Sequence, residues 1–77
     1  MADRSFRVYS AESFGLAIRH YREQAGLTQQ ELADLTGIDR TYLLRLERGT
    51  LQSEQLRRIL RVLKQLGVRV VLQEADW

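Results

Sequence analysis

Arg40, Thr41, Leu44, Arg45 and Arg48 fall close together in a chain of 77 residues, and their spacing decides what they can do jointly. On a helix turning about 100° per residue, with Leu43 at 0°, Leu44 falls at about 100°, Arg48 at about 140°, Thr41 at about 160° and Arg45 at about 200°. Arg40 lies at about 60°, at the first turn, where a long side chain reaches forward. Leu46 at about 300° and Tyr42 at about 260° mark the opposite, buried side. The outward side therefore carries three arginines, a threonine and a leucine, with no acid among them. Arginine donates in bidentate fashion to guanine O6 and N7, and Thr or Leu methyls meet a thymine methyl. Taken alone, such a side is also an ordinary solvated arginine surface. The elements around it decide between the two.

Those elements are written in "TQQELADLTGIDRTYLLRLERG", residues 28–49. Thr28 with Glu31 three residues on is a capping box that starts a helix. Leu32 and Ala33 turn inward from it, Gly37 closes it in the left-handed conformation, and Ile38 plugs the core at the turn. Asp39 then caps a second helix that runs to about Arg48 and ends at Gly49. Two short helices joined by a tight glycine turn cross steeply, which is the helix-turn-helix arrangement that sets its second helix into a DNA major groove. Ala33, Gly37 and Leu43 stand in the register this crossing needs.

A helix N-terminus is an anion site, so Thr28, Gln29 and Gln30, with Arg48 nearby, are candidates for phosphate contact. Plain surface amides are the alternative for Gln29 and Gln30. Glu47 falls at about 40°, nearer the core than the groove. Arg22, beside the apolar stripe of the preceding helix, is its expected partner in a partly buried, structural ion pair.

The flanks supply the remaining elements. Ser10 caps a first helix, "AESFGLAIRHYREQA", whose Phe14, Ala17, Ile18, Tyr21 and Ala25 form one apolar stripe, closed by Gly26. His20 falls opposite that stripe and is expected to be solvated. Ser53 caps a last helix, "EQLRRILRVLKQL", with Leu56, Ile59, Leu60 and Leu63 as its main stripe. Val62 and Leu66 widen that apolar side beyond the needs of one core, and Gly67 ends the helix. "VRVVLQ" reads as a strand with Val68, Val70 and Leu72 on one side. A lone strand leaves open edges, so it must pair with the weaker strand candidate "FRVYS", with its twin in a second copy, or with another protein. Val62, Leu66, Val68, Val70 and Leu72 are thus the candidate dimerisation residues. Trp77 reads either as a loose end or as an aromatic anchor for a partner.

Composition narrows the classes. One domain spanning 1–77 is expected, with helices over 10–49, a final helix over 53–66, a strand over 68–73 and a tail over 74–77. Net charge is only +2, but eleven of the twelve bases are Arg, so an argument for nucleic acid rests on where they point. The chain has no Cys and one His, which leaves no disulfide and almost no metal chemistry; no cofactor is expected. It lacks a phosphate-cradling Gly loop and a His paired with a nucleophile, so an enzyme is not expected. No apolar run is long enough to span a membrane, and "MADRSFRVYS" has no apolar signal core, so a cytoplasmic protein is expected.

"LTQQELADLTGIDRTYLLRLERG" resembles the helix-turn-helix of Xre-type, lambda-repressor-like regulators. That resemblance implies duplex-DNA binding, with Gln29 on phosphate, Arg40, Thr41, Leu44 and Arg45 reading bases, and Arg22 with Glu47 as a structural pair. Leu44 departs from the polar residue often found there. Over more of the chain, "VYS" before the first helix and "LQSEQLRRILRVLKQLGVRVVLQEAD" after the motif are similar to the HipB antitoxins. This narrower resemblance implies a homodimer whose C-terminal strands pair across a twofold axis, and a HipA-like serine/threonine kinase toxin as partner. The expected fold is mainly α, a four- to five-helix lambda-repressor-like domain with that strand appended. The expected function is a repressor that binds a palindromic double-stranded operator, represses its own operon and acts as antitoxin. A stand-alone regulator and a protein-only interaction module are the alternatives.

Overall fold

The computed structural model describes residues 5–50 and 56–74. Four helices form among them: α1 (Ala11–Gln24), α2 (Gln29–Thr36), α3 (Arg40–Arg48) and α4 (Leu56–Gln65). α1 packs along α3, and α2 packs against both α3 and α4. The fold is mainly α and of the helix-turn-helix kind.

Local chemistry starts and stops these helices where expected. The Ser10 hydroxyl accepts from the Ser13 amide at 3.1 Å, and Ser13 Oγ accepts from the Ser10 amide at 2.9 Å, a reciprocal box that opens α1. Thr28 and Glu31 make the equivalent box for α2, at 3.0 Å and 2.8 Å. α2 stops at Gly37, whose φ of 69° is the left-handed region that costs a glycine little. Asp39 occupies the N-cap of α3 in extended backbone, but its side chain makes no capping bond. Ala25, expected on the α1 stripe, is the exposed C-cap residue instead, one position past the last helical turn. The Ser53 cap lies outside the described residues.

One core joins the elements: Ile18 of α1, Leu32 of α2, Ile38 of the turn, Leu43 and Leu46 of α3, and Ile59, Val62 and Leu63 of α4. Burial of each such side chain contributes about 1.5–3 kcal/mol. Phe14, Leu27, Tyr42, Leu66 and Val68 close its rim. Val62 is therefore committed to its own chain's core, fully buried, and has no surface left for a second copy. The side of α4 that enters the core runs through Ile59, Val62 and Leu63, whereas Leu56 and Leu60, expected on the main stripe, are 67% and 46% exposed.

Residues 68–74 carry no regular secondary structure in this chain. A strand's hydrogen bonds need an adjoining strand, and "FRVYS" does not supply one. It lies against α1 instead, with the Phe6 ring 4.8 Å from His20 and 5.4 Å from Tyr21. This also corrects the expectation for His20. Its ring is half-buried between those aromatics rather than solvated. Val70 and Leu72 remain 56% and 93% exposed. Trp77 lies outside the described residues.

Candidate nucleic-acid interface

The outward side of α3 is built by its three inward residues. Leu43 and Leu46 point to the core, and Glu47 is buried. With these fixed, Arg40, Thr41, Arg45 and Arg48 are left exposed, and Leu44 is half-buried at the margin. The placement by helical arithmetic and the observed exposure agree for Thr41, Arg45 and Arg48; Arg40, at about 60°, is exposed because it opens the first turn of α3. No Asp or Glu is exposed on α3, because its one acid is turned inward.

That acid anchors a buried network. Arg22 of α1 donates Nε to Glu47 Oε2 at 2.6 Å and Nη2 to Oε1 at 3.2 Å, a two-pronged pair between α1 and α3. Arg22 Nη1 donates to the Leu27 carbonyl at 2.7 Å, so the guanidinium also fixes the chain leaving α1. Gln29 donates Nε2 to Glu47 Oε1 at 3.0 Å. One carboxylate thus holds the first residue of α2 against α3. A carboxamide nitrogen has two hydrogens, so one N–H of Gln29 is used and, among the described residues, the other has no acceptor. Gln30 Nε2 donates to Asp34 within its own helix at 2.9 Å, and the Thr28 hydroxyl accepts the capping bond from the Glu31 amide while keeping its own O–H to donate.

Beside this network lies a depression lined by Arg19, Arg22, Gln29, Leu44, Glu47 and Arg48. It brings the start of α2, the outer side of α3 and α1 to one place. Arg19 is the residue that sequence reasoning did not single out. It is paired to Glu23 at 3.2 Å on the surface, a solvent-screened pair that holds it weakly. Helical spacing carried a signal, since Arg19 and Arg22 are three apart and share a side of α1. The candidate dimerisation residues are not gathered in the same way. Val62 is in the core, Leu66 and Val68 are on its rim, and Val70 and Leu72 stand out in solvent.

A bracing helix, a glycine turn and an arginine-bearing helix laid open to solvent define a helix-turn-helix DNA-binding regulator. The helix-turn-helix family profile matches residues 18–71. Comparison with curated proteins gave no match. Among solved structures, the restriction-modification controller protein C.AhdI from Aeromonas hydrophila is 36% identical, with 77% of this chain and 84% of that one covered and a TM-score of 0.70. A HipB variant in an O2 20mer complex is 26% identical over 95% of this chain and 100% of that one, with a TM-score of 0.82. HipB in a HipA-HipB-O2-O3 complex is 26% identical, covers 91% and 97%, and has a TM-score of 0.78. The chain belongs to the helix-turn-helix family, as a regulator of the Xre type that resembles HipB.

Proposed function

We propose that the protein is a sequence-specific repressor that lays α3 in the major groove of an operator. The observation that supports this best is the open side of α3, with Arg40, Thr41, Arg45 and Arg48 exposed and its carboxylate turned away into a buried pair. Arg40, Thr41, Arg45 and the Leu44 methyls would read base edges. The free N–H of Gln29 and the first-turn amides of α2, with Thr28, Gln30 and Arg48 around them, would hold a phosphate. Arg45→Ala and Arg40→Ala are each expected to cost about 1–3 kcal/mol of operator binding and to relax base choice locally. Fluorescence anisotropy on its own promoter and on single-base variants measures both. Unchanged affinity and preference in both variants would show that this side of α3 does not read the sequence.

The operator is expected to be palindromic, read by a homodimer with recognition helices about 34 Å apart. Exposed Val70 and Leu72, in a segment that has no strand partner among the described residues, support strand pairing between two copies over 68–73. Val70→Pro removes a ladder donor and is expected to shift the sedimentation profile toward monomer. The same profile as the parent protein would exclude the shared strand.

The likeness to HipB over nearly its whole length, HipA complex included, supports an antitoxin that holds a HipA-like kinase while repressing its operon. C.AhdI, more identical over a shorter span, favours a stand-alone regulator as the second reading. Co-purification with the product of a kinase-like neighbouring gene supports the first. Its absence alongside intact promoter binding supports the second.

A further inference from the structure

We infer that Arg58 and Arg61 of α4 form a second phosphate clamp, along the flank of α3 opposite Gln29 and Arg48. The inference rests on the DNA-binding reading above and extends the interface to a helix outside the motif.

The two flanks of α3 follow from its own geometry. Around the base-reading residues at about 160–200°, Arg48 and Leu44 lie on the side of lower angle and Tyr42 on the side near 260°. The first flank meets the start of α2 and Arg19. The second meets α4, where the Arg58 guanidinium sits 5.1 Å from the centre of the Tyr42 ring. One helical turn on, Arg61 Nη1 donates to the Thr36 carbonyl at 3.2 Å, at the last residue of α2 before the turn into α3. Arg58 is thus fastened to α3, which carries the base-reading residues, and Arg61 to the end of α2 that leads into it.

Neither fastening uses up the group. A guanidinium lying over an aromatic ring keeps its N–H edges available. Arg61 commits one of five N–H donors. Both residues are exposed, and among the described residues neither makes an ion pair with a carboxylate. Residues 56–73 contain Arg57, Arg58, Arg61, Lys64 and Arg69 and no acid. Cations held in place without counter-charges among the described residues, beside a helix that would enter a groove walled by phosphates, match the charge of the DNA backbone. An acidic protein surface offers the same sign of charge. DNA is favoured because the two side chains are tied to α3 and its turn rather than displayed away from them.

A phosphate contact is read in the salt dependence of binding. Each neutralised phosphate adds about 0.9 to the slope of log Kobs against log salt concentration. The test measures that slope for the full chain, for Arg58→Gln, for Arg61→Gln and for the double variant, on promoter DNA and on a mixed-sequence duplex. Circular dichroism melts fix a temperature at which every variant is folded. The expected result is a loss of about 0.9 in slope for each substitution, roughly additive in the pair and equal on both duplexes. Lys64→Gln, in the last turn of α4, is expected to leave the slope unchanged. An unchanged slope in the folded double variant overturns the clamp and leaves the two arginines as supports for Tyr42 and α2. Loss of capture of an acidic protein partner with an unchanged slope overturns it in favour of that partner. If the parent chain binds neither duplex, the failure belongs to the DNA-binding reading instead.

Discussion

Gly15→Ala is expected to lower the melting temperature by about 5–15 °C, although alanine is the better helix former by about 1 kcal/mol. Gly15 lies inside α1 and is buried where that helix crosses the end of α3. A Cβ there would overlap the carbonyl oxygens of Glu47 and Leu46, and would lie 2.6 Å from the Glu47 carbonyl carbon. These are backbone atoms, so no rotamer change relieves the overlap and the two helices must separate. Overpacking of this kind costs about 1–3 kcal/mol and more where backbone must move. Separation also stretches the Arg22–Glu47 pair, which spans the same two helices. The clash therefore outweighs the propensity gain. Leu16→Ala, one residue on and 62% exposed, is expected to shift the melting temperature by little, because it removes no buried contact. Thermal denaturation followed at 222 nm compares the two. A Gly15→Ala protein as stable as its parent would mean that α1 and α3 do not approach this closely.

Gly15 also shows where sequence reading stops. Thr28, Glu31 and Gly37 announce the start and end of α2 because the forces involved act within a few residues: a hydroxyl on a nearby amide, a positive φ at one position. The open side of α3 was legible for a similar reason, since Leu43, Leu46 and Glu47 fix its rotation and the arginines follow. A glycine inside a helix carries no such local reason; its need lies in another helix thirty-two positions away, against the Glu47 carbonyl. Val62 is the converse case. Helical spacing shows that it is on an apolar side but not which surface covers it, and its own core covers it completely. His20 sits opposite the stripe by arithmetic, yet Phe6 from an irregular segment folds over it. A partner for residues 68–73 is not legible from one chain either, because strand hydrogen bonds are supplied from outside the segment.

Glu47→Ala is expected to cost about 3–5 kcal/mol, the penalty for leaving one charge of a buried pair without its partner. Arg22 and Glu47 are 8% and 6% exposed, so water cannot take over the role of the missing carboxylate. Among the described residues, the Leu27 carbonyl would then be the sole partner left to the Arg22 guanidinium, and a neutral acceptor does not balance its charge. Removing both charges should behave differently. Arg22→Met with Glu47→Leu fills similar volume without a stranded ion, and such replacements are commonly neutral or stabilising. The double variant is therefore expected to recover most of the stability lost by Glu47→Ala. DNA binding should not recover with it. Gln29 is held through the same Glu47 Oε1 at 3.0 Å, and a leucine at position 47 has no atom to accept that bond. The proposed phosphate contact of Gln29 would lose its preset orientation, weakening binding on every duplex alike while base preference at the α3 positions is retained. Chemical denaturation and anisotropy on promoter and mixed-sequence DNA separate the two effects. A double variant that is both stable and undiminished in affinity would confine the network to holding α1 against α3. One that is stable but uniformly weaker would show that the buried carboxylate also sets the geometry of the phosphate contact, through Gln29.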